Sequence, residues 1–448
     1  MRIAHIAASD QLGGAEMALL GMVGGVRRQR PDWPVTVILP GTGPLLDACT
    51  REGASCEVVP FPAAIARLGE AAMTRRHRSV APPIAAARLL SAALHVPSYV
   101  RRLKMTVRRC APSIIHTHGV KAHVLGTLGA GQTPLVWHLH EYVSVRPLSR
   151  RLLRRLAGRC AAIVANSDSV ARDAQDALES PETIRVIHNA VDLQRFTPDG
   201  ESVDLDGLGG IDRPRQPIVR VGLVSTFGRW KGHETFLRAL AALPPELPVR
   251  GYVVGGPLYL TTGSQYSRAA LEGLSRSLGL EGRVGFTGFQ RADHAIRALD
   301  VVVHASTEPE PFGLVIAEAM ACGRTLVTTG LGGAREIVSD GVDALVVPPG
   351  DHRALASAIY RLAIDTDLRD RLGSRARASA MVRFNPERLA PSLIALYERA
   401  TSARDHHGAD ASTRSSQSRA QSSAEPPPWP RLRRASQALS SVLFPSDR

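Results

Sequence analysis

Short apolar runs typical of buried strands alternate with helical patterns along most of the chain, and this alternation occurs twice. Strands that alternate with helices predict a parallel sheet with helices on both faces. The second series begins at residue 218, after a stretch rich in Gly, Pro and Asp. The pattern therefore predicts two Rossmann-like domains that face a cleft. The predicted strands are 2–8, 34–40, 56–61, 113–119, 135–140, 161–167 and 184–190, then 218–227, 249–256, 283–289, 300–306, 324–330 and 343–349.

The length agrees with two domains, because a chain of 448 residues is too long for a single hydrophobic core. From residue 401 the sequence is rich in Ser, Arg, Gln and Pro, a composition typical of disorder. The predicted organisation is a first domain at 1–198, a linker at 199–217, a second domain at 218–385, a final helix at 386–400 and a disordered tail at 401–448.

The cysteines and the N-terminus predict a cytoplasmic location. The five cysteines are odd in number and scattered without metal-ligand spacing, which predicts reduced thiols. The N-terminal sequence MRIAHIAASD enters a predicted strand without a charged and apolar leader. No run of about 18 uninterrupted apolar residues is available to span a membrane.

The run EPFGLVIAEAMACG (310–323) places two glutamates around the start of a predicted helix. Glu310 lies in the loop before the helix, and Glu318 lies about one turn into it. The first N–H groups of a helix have no internal partner and carry partial positive charge, so they can bind phosphate. A carboxylate beside them can hold ribose hydroxyls, which suits a nucleotide-sugar. Two glutamates at this spacing alone are more often a solvated cap and a surface charge.

The longer stretch EPFGLVIAEAMACGRTLVTT and the following GLGGAREIVSDGVDALVVPPGD (330–351) resemble the retaining, family-4 glycosyltransferases of the GT-B fold, also called glycosyl transferases group 1. The resemblance covers roughly residues 1–400. It implies an α/β fold of the GT-B type and transfer of a sugar from a nucleoside diphosphate to an acceptor hydroxyl. The transition state would be oxocarbenium-like. The nucleotide-sugar would be a substrate, and no cofactor is implied.

The resemblance also implies roles for the residues around the predicted helix. Glu318 would hold the ribose, and Glu310 would contact the donor sugar. The backbone amides of Gly313, Leu314 and Val315 would lie beside the diphosphate.

A second motif, STFGRWKGHETFLRAL (225–240), places Arg229 and Lys231 at a strand-to-helix turn. Cations at such a turn can meet a pyrophosphate or remain solvated. The resemblance assigns Lys231 to the diphosphate. The commonest family pattern has an arginine five residues before the lysine, a position that Thr226 occupies here, so Thr226 is a candidate donor-binding residue. Arg229 is therefore expected to reach the same phosphate from a different backbone position.

A Gly-Gly turn follows the first predicted strand, in QLGGAEMALLGM (11–22). Glycines let the backbone approach a ligand closely. The run GGAE resembles the N-terminal loop of the same family, so Gly13 and Gly14 are expected to close over the donor phosphates.

Four histidines end two predicted strands, in HTHG (116–119) and HLHEY (138–142). Residues i and i+2 of a strand share a face, so each pair can chelate a metal, and imidazole suits zinc. A zinc-dependent hydrolase is therefore an alternative. The resemblance instead assigns His140, at the cleft edge, to the transferred sugar, with His118 a weaker candidate. His116, His123 and His138 are expected to be satisfied structural histidines.

Two D-x-D motifs match metal-dependent sugar transferases by spelling alone. The motif at 204–206 lies in the predicted linker, and the motif at 365–367 lies near a helix start. We therefore predict no metal site, with Lys, Arg and helix amides neutralising the leaving diphosphate instead.

Residues 67–160 contain 17 lysines and arginines against two acids, Glu70 and Glu141. Within this region RRLLRRLAGR (150–159) places Leu152, Leu153 and Leu156 on one helical face. The other basic segments are RRHR (75–78) and RRLKMTVRR (101–109).

Two interpretations of this basic region remain open. It is either an ordinary solvated face or a surface that docks on anionic lipid headgroups or on a lipid-linked glycan acceptor. Docking would place the enzyme peripherally at the inner face of the cell membrane, in cell-envelope or exopolysaccharide assembly. Nucleic acid is not an expected partner, because no recognition fold is visible and few aromatic residues are available for stacking. A membrane-surface or nucleic-acid binding module without chemistry is the other alternative, against which Lys231 and the carboxylate pair argue.

Overall fold

The computed structural model describes residues 1–66, 82–179, 184–258 and 264–418. Every predicted strand is present, and the strands form two parallel sheets. The first sheet has the order β3-β2-β1-β4-β5-β6-β7 and contains Ile3–Ala7 (β1), Val35–Leu39 (β2), Ser55–Val58 (β3), Ile114–His118 (β4), Leu135–Leu139 (β5), Ala162–Ala165 (β6) and Arg185–Val186 (β7). The second sheet has the order β10-β9-β8-β11-β12-β13 and contains Val219–Val224 (β8), Val249–Val254 (β9), Val284–Gly288 (β10), Val301–His304 (β11), Thr325–Thr328 (β12) and Leu345–Val346 (β13).

Helices connect the strands of each sheet. The helices of the first half are Gly14–Gln29 (α1), Pro44–Arg51 (α2), Ala63–Ala66 (α3), Pro82–Cys110 (α4), Val120–Gly129 (α5), Pro147–Ala157 (α6) and Asp168–Leu178 (α7). The helices of the second half are Leu205–Gly209 (α8), His233–Ala241 (α9), Arg268–Ser277 (α10), Ala292–Arg297 (α11), Leu314–Ala321 (α12), Ala334–Ile337 (α13), His352–Ile364 (α14) and Thr366–Arg383 (α15). A final helix, α16, runs over Pro386–Ser418.

Both sheets are buried on both faces, as parallel sheets generally are. Along β1, Ala4 and Ile6 pack into one hydrophobic cluster, whereas Ile3 and Ala7 pack into another. Alternate residues of a strand point to opposite faces, so the two clusters lie on the two sides of the first sheet. This double burial explains why the strands appear in the sequence as nearly continuous apolar runs.

The order of strands reverses once in each sheet, between β1 and β4 and between β8 and β11. In open α/β sheets, ligands bind beyond the carboxyl ends of the strands at such a reversal. Lys231 follows β8 and Glu310 follows β11, so the second sheet brings the segments that carry these two residues side by side. The topology thus supports a ligand site at this edge.

The segment 199–217, predicted as a linker, contains the short helix α8 and packs against the second sheet. Asp206 in this helix is buried and accepts hydrogen bonds from Arg220 and Arg250, each at 2.8 Å, and from Tyr252 at 2.7 Å. The buried Asp206 carboxylate is thereby paired with an arginine from each of two strands. These contacts attach the segment to β8 and β9.

The final helix begins at Pro386 and packs on the first half, where Leu393, Leu396 and Tyr397 join the hydrophobic cluster behind β1. It continues past the predicted end at residue 400 to Ser418. Residues Met1–Thr401 form one compact unit, and the described residues after Thr401 belong to a separate one. The rest of the predicted disordered tail, 419–448, and the basic run 75–78 lie outside the described residues.

Candidate functional site

The centre of the site is an ion pair between the two segments that meet at the strand-order reversal of the second sheet. The Lys231 ammonium donates hydrogen bonds to Glu310 Oε2 at 2.7 Å and to Glu310 Oε1 at 2.9 Å. The side chains are 19% and 14% exposed, so the pair is largely but not fully shielded from water. The structure therefore brings together two residues that were assigned from separate motifs.

The turn that carries Lys231 fits closely against the end of β11. Gly232, directly after Lys231, has a φ of 77°, and a Cβ atom there would lie 1.9 Å from the carbonyl oxygen of Ala305. Only glycine tolerates both the left-handed backbone and this contact. Gly232 thus lets the Lys231 backbone pack closely against the segment between β11 and Glu310, which brings the Lys231 ammonium near Glu310.

Two further side chains orient the Glu310 carboxylate. Ser306 Oγ donates to Glu310 Oε2 at 3.1 Å, and His304 Nε2 lies 3.4 Å from the same oxygen. Burial raises the pKa of Glu310, but the Lys231 ammonium and the hydrogen bond from His304 outweigh burial and hold that pKa well below its usual range. Glu310 is therefore an anion at neutral pH. Sequence reasoning missed His304 and Ser306, although their i and i+2 positions at the end of β11 place them on one face.

The helix α12 begins immediately beyond Glu310, as predicted. Gly313 is its N-cap residue, and Leu314 and Val315 form its first turn. Glu318 lies one turn further and is 9% exposed. Burial raises the pKa of Glu318 to about 7. The helix thus offers backbone N–H groups at its start and, inside it, a carboxyl that exchanges a proton near neutral pH.

Two other predicted donor-site residues, Arg229 and Thr226, lie around this region in different settings. The guanidinium of Arg229 stacks on the ring of Tyr266, 4.5 Å from the ring centroid. Thr226 is half-buried in the loop after β8, and its carbonyl accepts a hydrogen bond from Ser225 Oγ at 3.1 Å. The Tyr266 contact gives Arg229 a fixed place beside the loop.

In the first half, Gly13 is the N-cap residue of α1 and Gly14 is its first residue. Both follow β1, one of the two strands at the order reversal of the first sheet. The Gly-Gly turn therefore lies at the carboxyl edge of that sheet, as expected for a loop at a ligand cleft.

His140 directly follows β5 and belongs to a group of five histidines that we call the histidine cluster: His5, His116, His118, His138 and His140. Three of its rings form a hydrogen-bonded series, with His118 Nδ1 3.1 Å from His140 Nε2 and His118 Nε2 2.9 Å from His5 Nδ1. Burial lowers the pKa of His140 to about 4 and the pKa of His5 to about 3. The cluster is therefore neutral at physiological pH.

Of the three histidines expected to be satisfied structural residues, two lack hydrogen-bond partners within the described ranges on at least one ring nitrogen. His123 Nδ1 lies 2.7 Å from Thr117 Oγ1, as expected of a structural histidine. His116 Nδ1 lies 2.7 Å from Tyr397 Oη, but His116 Nε2 is buried without a hydrogen-bond partner in the described part of the chain, so His116 is only partly satisfied. The prediction that His138 is satisfied is wrong: it is fully buried, and neither of its ring nitrogens has a hydrogen-bond partner among the described residues. Its imidazole packs flat on His140, with ring centroids 4.4 Å apart.

Geometrically, the histidine cluster can accept a metal ion. The nitrogens of His118, His138 and His140 lie within 4.8 Å of one another, and so do those of His5, His116 and His118. The D-x-D motifs instead have structural roles, because Asp204 caps α8 and Asp365 caps α15. The carboxylates of Asp204 and Asp365 accept hydrogen bonds from backbone N–H groups at these helix starts, which is a structural role.

The two halves meet directly beside the ion pair. Tyr142 Oη, from the loop after His140, donates to the backbone oxygen of Glu310 at 3.2 Å. The Glu336 carboxylate of α13 accepts from the backbone N–H groups of Asp168 at 2.8 Å and Ser169 at 2.7 Å. These contacts place the His140 end of the first sheet opposite the Glu310 loop.

Comparison with known proteins agrees with this architecture. The sequence profile of the Glycosyltransferase Family 4 domain matches residues 12–195, and that of Glycosyl transferases group 1 matches residues 219–379. Two D-inositol 3-phosphate glycosyltransferases, from Corynebacterium urealyticum and Xylanimonas cellulosilytica, are each 31% identical to the chain. The alignments cover 58% and 65% of this chain and 62% and 73% of those proteins, respectively. The chain belongs to the group 1 glycosyltransferases.

The solved structure of Anabaena HepE in complex with UDP-glucose superposes on this glycosyltransferase with a TM-score of 0.72 at 27% identity. The match covers 90% of this chain and all of the HepE chain. The GT-B architecture predicted from sequence is therefore confirmed, with its two Rossmann-like halves.

Proposed function

We propose that this glycosyltransferase moves a sugar from a uridine diphosphate sugar to an acceptor hydroxyl and retains the anomeric configuration. The Lys231–Glu310 pair beside the start of α12 carries this proposal, because it combines a cation, an anion and helix amides at the strand-order reversal. The choice of uridine rests on HepE, which was solved with UDP-glucose.

In the proposed complex the diphosphate lies at the N-terminus of α12. The backbone N–H groups of Gly313, Leu314 and Val315 would hold it, since the first amides of a helix have no internal partner. Lys231 has three N–H donors, and Glu310 takes two, so one remains to reach a phosphate oxygen. The ammonium thereby neutralises charge as the diphosphate departs, which is when that charge is greatest.

Glu318 is proposed to hold the ribose. A buried carboxyl whose pKa is about 7 is half ionised at neutral pH. Hydrogen bonds from ribose hydroxyls favour the charged form of the carboxyl, so we expect donor binding to lower the pKa of Glu318 and release its proton.

At the other end of the donor, Glu310 and His140 are proposed to contact the sugar. Glu310 is an anion oriented by Ser306 and His304, and an anion stabilises the positive charge of an oxocarbenium-like transition state. His140 is a neutral imidazole, so it can form a hydrogen bond with a hydroxyl of the sugar or the acceptor. Because it carries no charge, it would not repel the positive charge of that transition state. No metal ion takes part in the proposed reaction.

The acceptor is proposed to be a glycan or lipid-linked glycan presented at an anionic membrane surface. On α4, Leu90 and Leu94 are 60% and 73% exposed, and Met105 is 58% exposed, on the same helix as Arg101 and Lys104. Exposed apolar side chains among cations are typical of helices that lie in a membrane interface. No helix within the described ranges is both long and apolar enough to cross a bilayer.

The helix α6 contributes less to such a surface than its sequence predicts. Leu153 is 1% exposed and Leu156 packs partly against the core, so of the three leucines on the predicted helical face only Leu152 is exposed. Leu148 and Leu152 are the exposed leucines of this helix, at 50% and 43%. They lie among the predicted arginines, of which Arg154 pairs with Glu179.

The test is a screen of nucleotide-sugars by thermal shift, followed by measurement of nucleoside diphosphate release with glycan acceptors. Wild type is expected to be stabilised by a UDP-sugar and to release UDP faster when an acceptor is present. A Glu310→Gln variant is expected to bind the donor but turn it over slowly. Absence of stabilisation by every nucleotide-sugar would refute the proposal.

A further inference from the structure

One carboxylate of the second half is bound to a helix end of the first half. Glu336 Oε2 accepts from the N–H of Asp168 at 2.8 Å, and Glu336 Oε1 accepts from the N–H of Ser169 at 2.7 Å. These are the first two residues of α7, whose N-terminus carries partial positive charge. Ser167 Oγ accepts from the next N–H, that of Val170, at 3.1 Å. The first turn of α7 is therefore capped jointly by both halves.

The same segment of the second half is bonded to the backbone of Glu310. The Glu310 N–H donates to the Leu331 carbonyl at 3.2 Å, and the Gly333 N–H donates to the Glu310 carbonyl at 2.8 Å. The Glu310 carbonyl also accepts from Tyr142 Oη of the first half at 3.2 Å. A movement of Glu336 away from α7 would therefore move the backbone that supports the Lys231–Glu310 pair.

The chain approaches closely at this point, and the glycines before α13 allow it. A Cβ atom at Gly333 would lie 2.1 Å from the Pro311 carbonyl oxygen and 2.9 Å from Ser167 Oγ. One at Gly332 would lie 2.1 Å from Tyr142 Oη. The two halves are thus closely packed at this contact, which a larger residue at position 332 or 333 would disrupt.

We propose that Glu336 is a positioning residue that latches the two halves together on the cleft side, so that the Glu310 loop faces the His140 end of the first sheet during transfer. This inference rests on the proposed function of the site. Glu336 itself would not touch the donor or the acceptor. It would act through the backbone of residues 331–333, which links it to Glu310.

Loss of the latch should not unfold the protein, because the halves are joined elsewhere. The C-terminal helix reaches the first half through Tyr397, whose hydroxyl lies 2.7 Å from His116 Nδ1, and through the Arg30–Glu398 ion pair at 3.3 Å. The latch lies at a different place, on α7 and α13. Removal of the Glu336 contact is therefore expected to let the two halves separate at α7 and α13 while α16 stays attached to the first half.

The kinetic test compares Glu336→Ala and Glu336→Gln with Glu281→Ala, which removes an exposed glutamate of the second half. The proposed contacts of Lys231, α12 and Glu318 with the UDP part of the donor lie in the second half, so the Kd for UDP should stay within about twofold. Turnover with acceptor should fall roughly 10- to 100-fold in Glu336→Ala, as expected for loss of charge-assisted hydrogen bonds. Glu336→Gln keeps one acceptor oxygen, so its turnover should lie between that of Glu336→Ala and that of the Glu281→Ala control. Unchanged turnover, or equal losses in UDP binding and turnover, would overturn the proposal.

A second readout does not depend on catalysis. Small-angle X-ray scattering of the substrate-free proteins should give a larger radius of gyration for Glu336→Ala than for wild type and Glu281→Ala, at an unfolding temperature within a few degrees. Identical scattering curves for all three proteins would overturn the latch. If wild type transfers no sugar, the proposed function fails, and the scattering comparison still decides whether Glu336 joins the halves.

Discussion

Replacement of Lys231 by methionine should separate the contribution of the Lys231–Glu310 pair to stability from its contribution to catalysis. Methionine keeps an apolar stem but removes the charge, and it leaves the Glu310 carboxylate beside His304 and Ser306 without its cation. Removal of one partner of a buried pair costs about 3–5 kcal/mol. Because the two side chains keep 19% and 14% exposure, we expect a loss of about 2–3 kcal/mol in the free energy of unfolding.

The loss should depend on pH in a defined direction. In wild type the pKa of Glu310 is depressed, so the pair contributes stability above the pKa of the unfolded chain and loses it as pH falls. Without Lys231, burial is the largest remaining influence and raises that pKa. The variant should then gain stability as protonation removes the buried charge. The difference in stability between wild type and Lys231→Met should therefore narrow as pH falls from 7 towards 4.

Urea unfolding followed by circular dichroism, together with UDP release, tests this reasoning. The double variant Lys231→Met/Glu310→Gln should recover most of the stability, because no unpaired charge stays buried, but turnover should remain at least about 100-fold below wild type. Arg238→Met is the control, since it breaks the Arg238–Glu234 pair, whose side chains are each 46% exposed, and should cost less than about 1 kcal/mol. A Lys231→Met midpoint equal to that of Arg238→Met, or full turnover in the double variant, would refute the reasoning.

Three further predictions concern other parts of the molecule. Because burial raises the pKa of Glu318 from 4.5 to about 7, wild type should lose up to about 3 kcal/mol of stability as pH rises through this interval, while Glu318→Gln should not; parallel urea-midpoint profiles for the two proteins would contradict this. Transferase activity should persist in excess EDTA, and the purified protein should contain no stoichiometric zinc; activity lost on chelation and restored by zinc or manganese would favour a metal in the histidine cluster. Wild type should sediment with anionic vesicles at low salt, and Leu90→Glu/Leu94→Glu should sediment less; equal partition to neutral and anionic vesicles would leave the basic surface as a solvated face.

The sequence predicted the fold well because parallel strands are buried on both faces. Even Arg185–Val186 and Leu345–Val346, each only two residues long, fall within predicted apolar runs. The helix Leu205–Gly209 was not predicted, because it is only five residues long and has the Gly-rich composition of a linker. Its attachment depends on Asp206 pairing with arginines from two strands, which no local pattern encodes.

The sequence supplied the members of the site but not their arrangement. Lys231 and Glu310 were assigned from separate motifs, and only the adjacency of β8 and β11 brings their side chains together across 79 residues of sequence. Glu336 was not singled out, because its partners are backbone amides that carry no sequence signal. His138 was misjudged, because its lack of hydrogen-bond partners depends on side chains packed from several strands.

The most direct test of the proposed donor site is a calorimetric titration of wild type and Glu318→Ala with UDP and a panel of nucleotide-sugars. Wild type is predicted to bind a UDP-sugar with one site per chain. Glu318→Ala is predicted to bind it more weakly by about 1.5–3 kcal/mol, because the ribose loses its carboxylate partner. A wild type that binds no nucleotide, or a variant with unchanged affinity, would contradict the placement of the donor at α12.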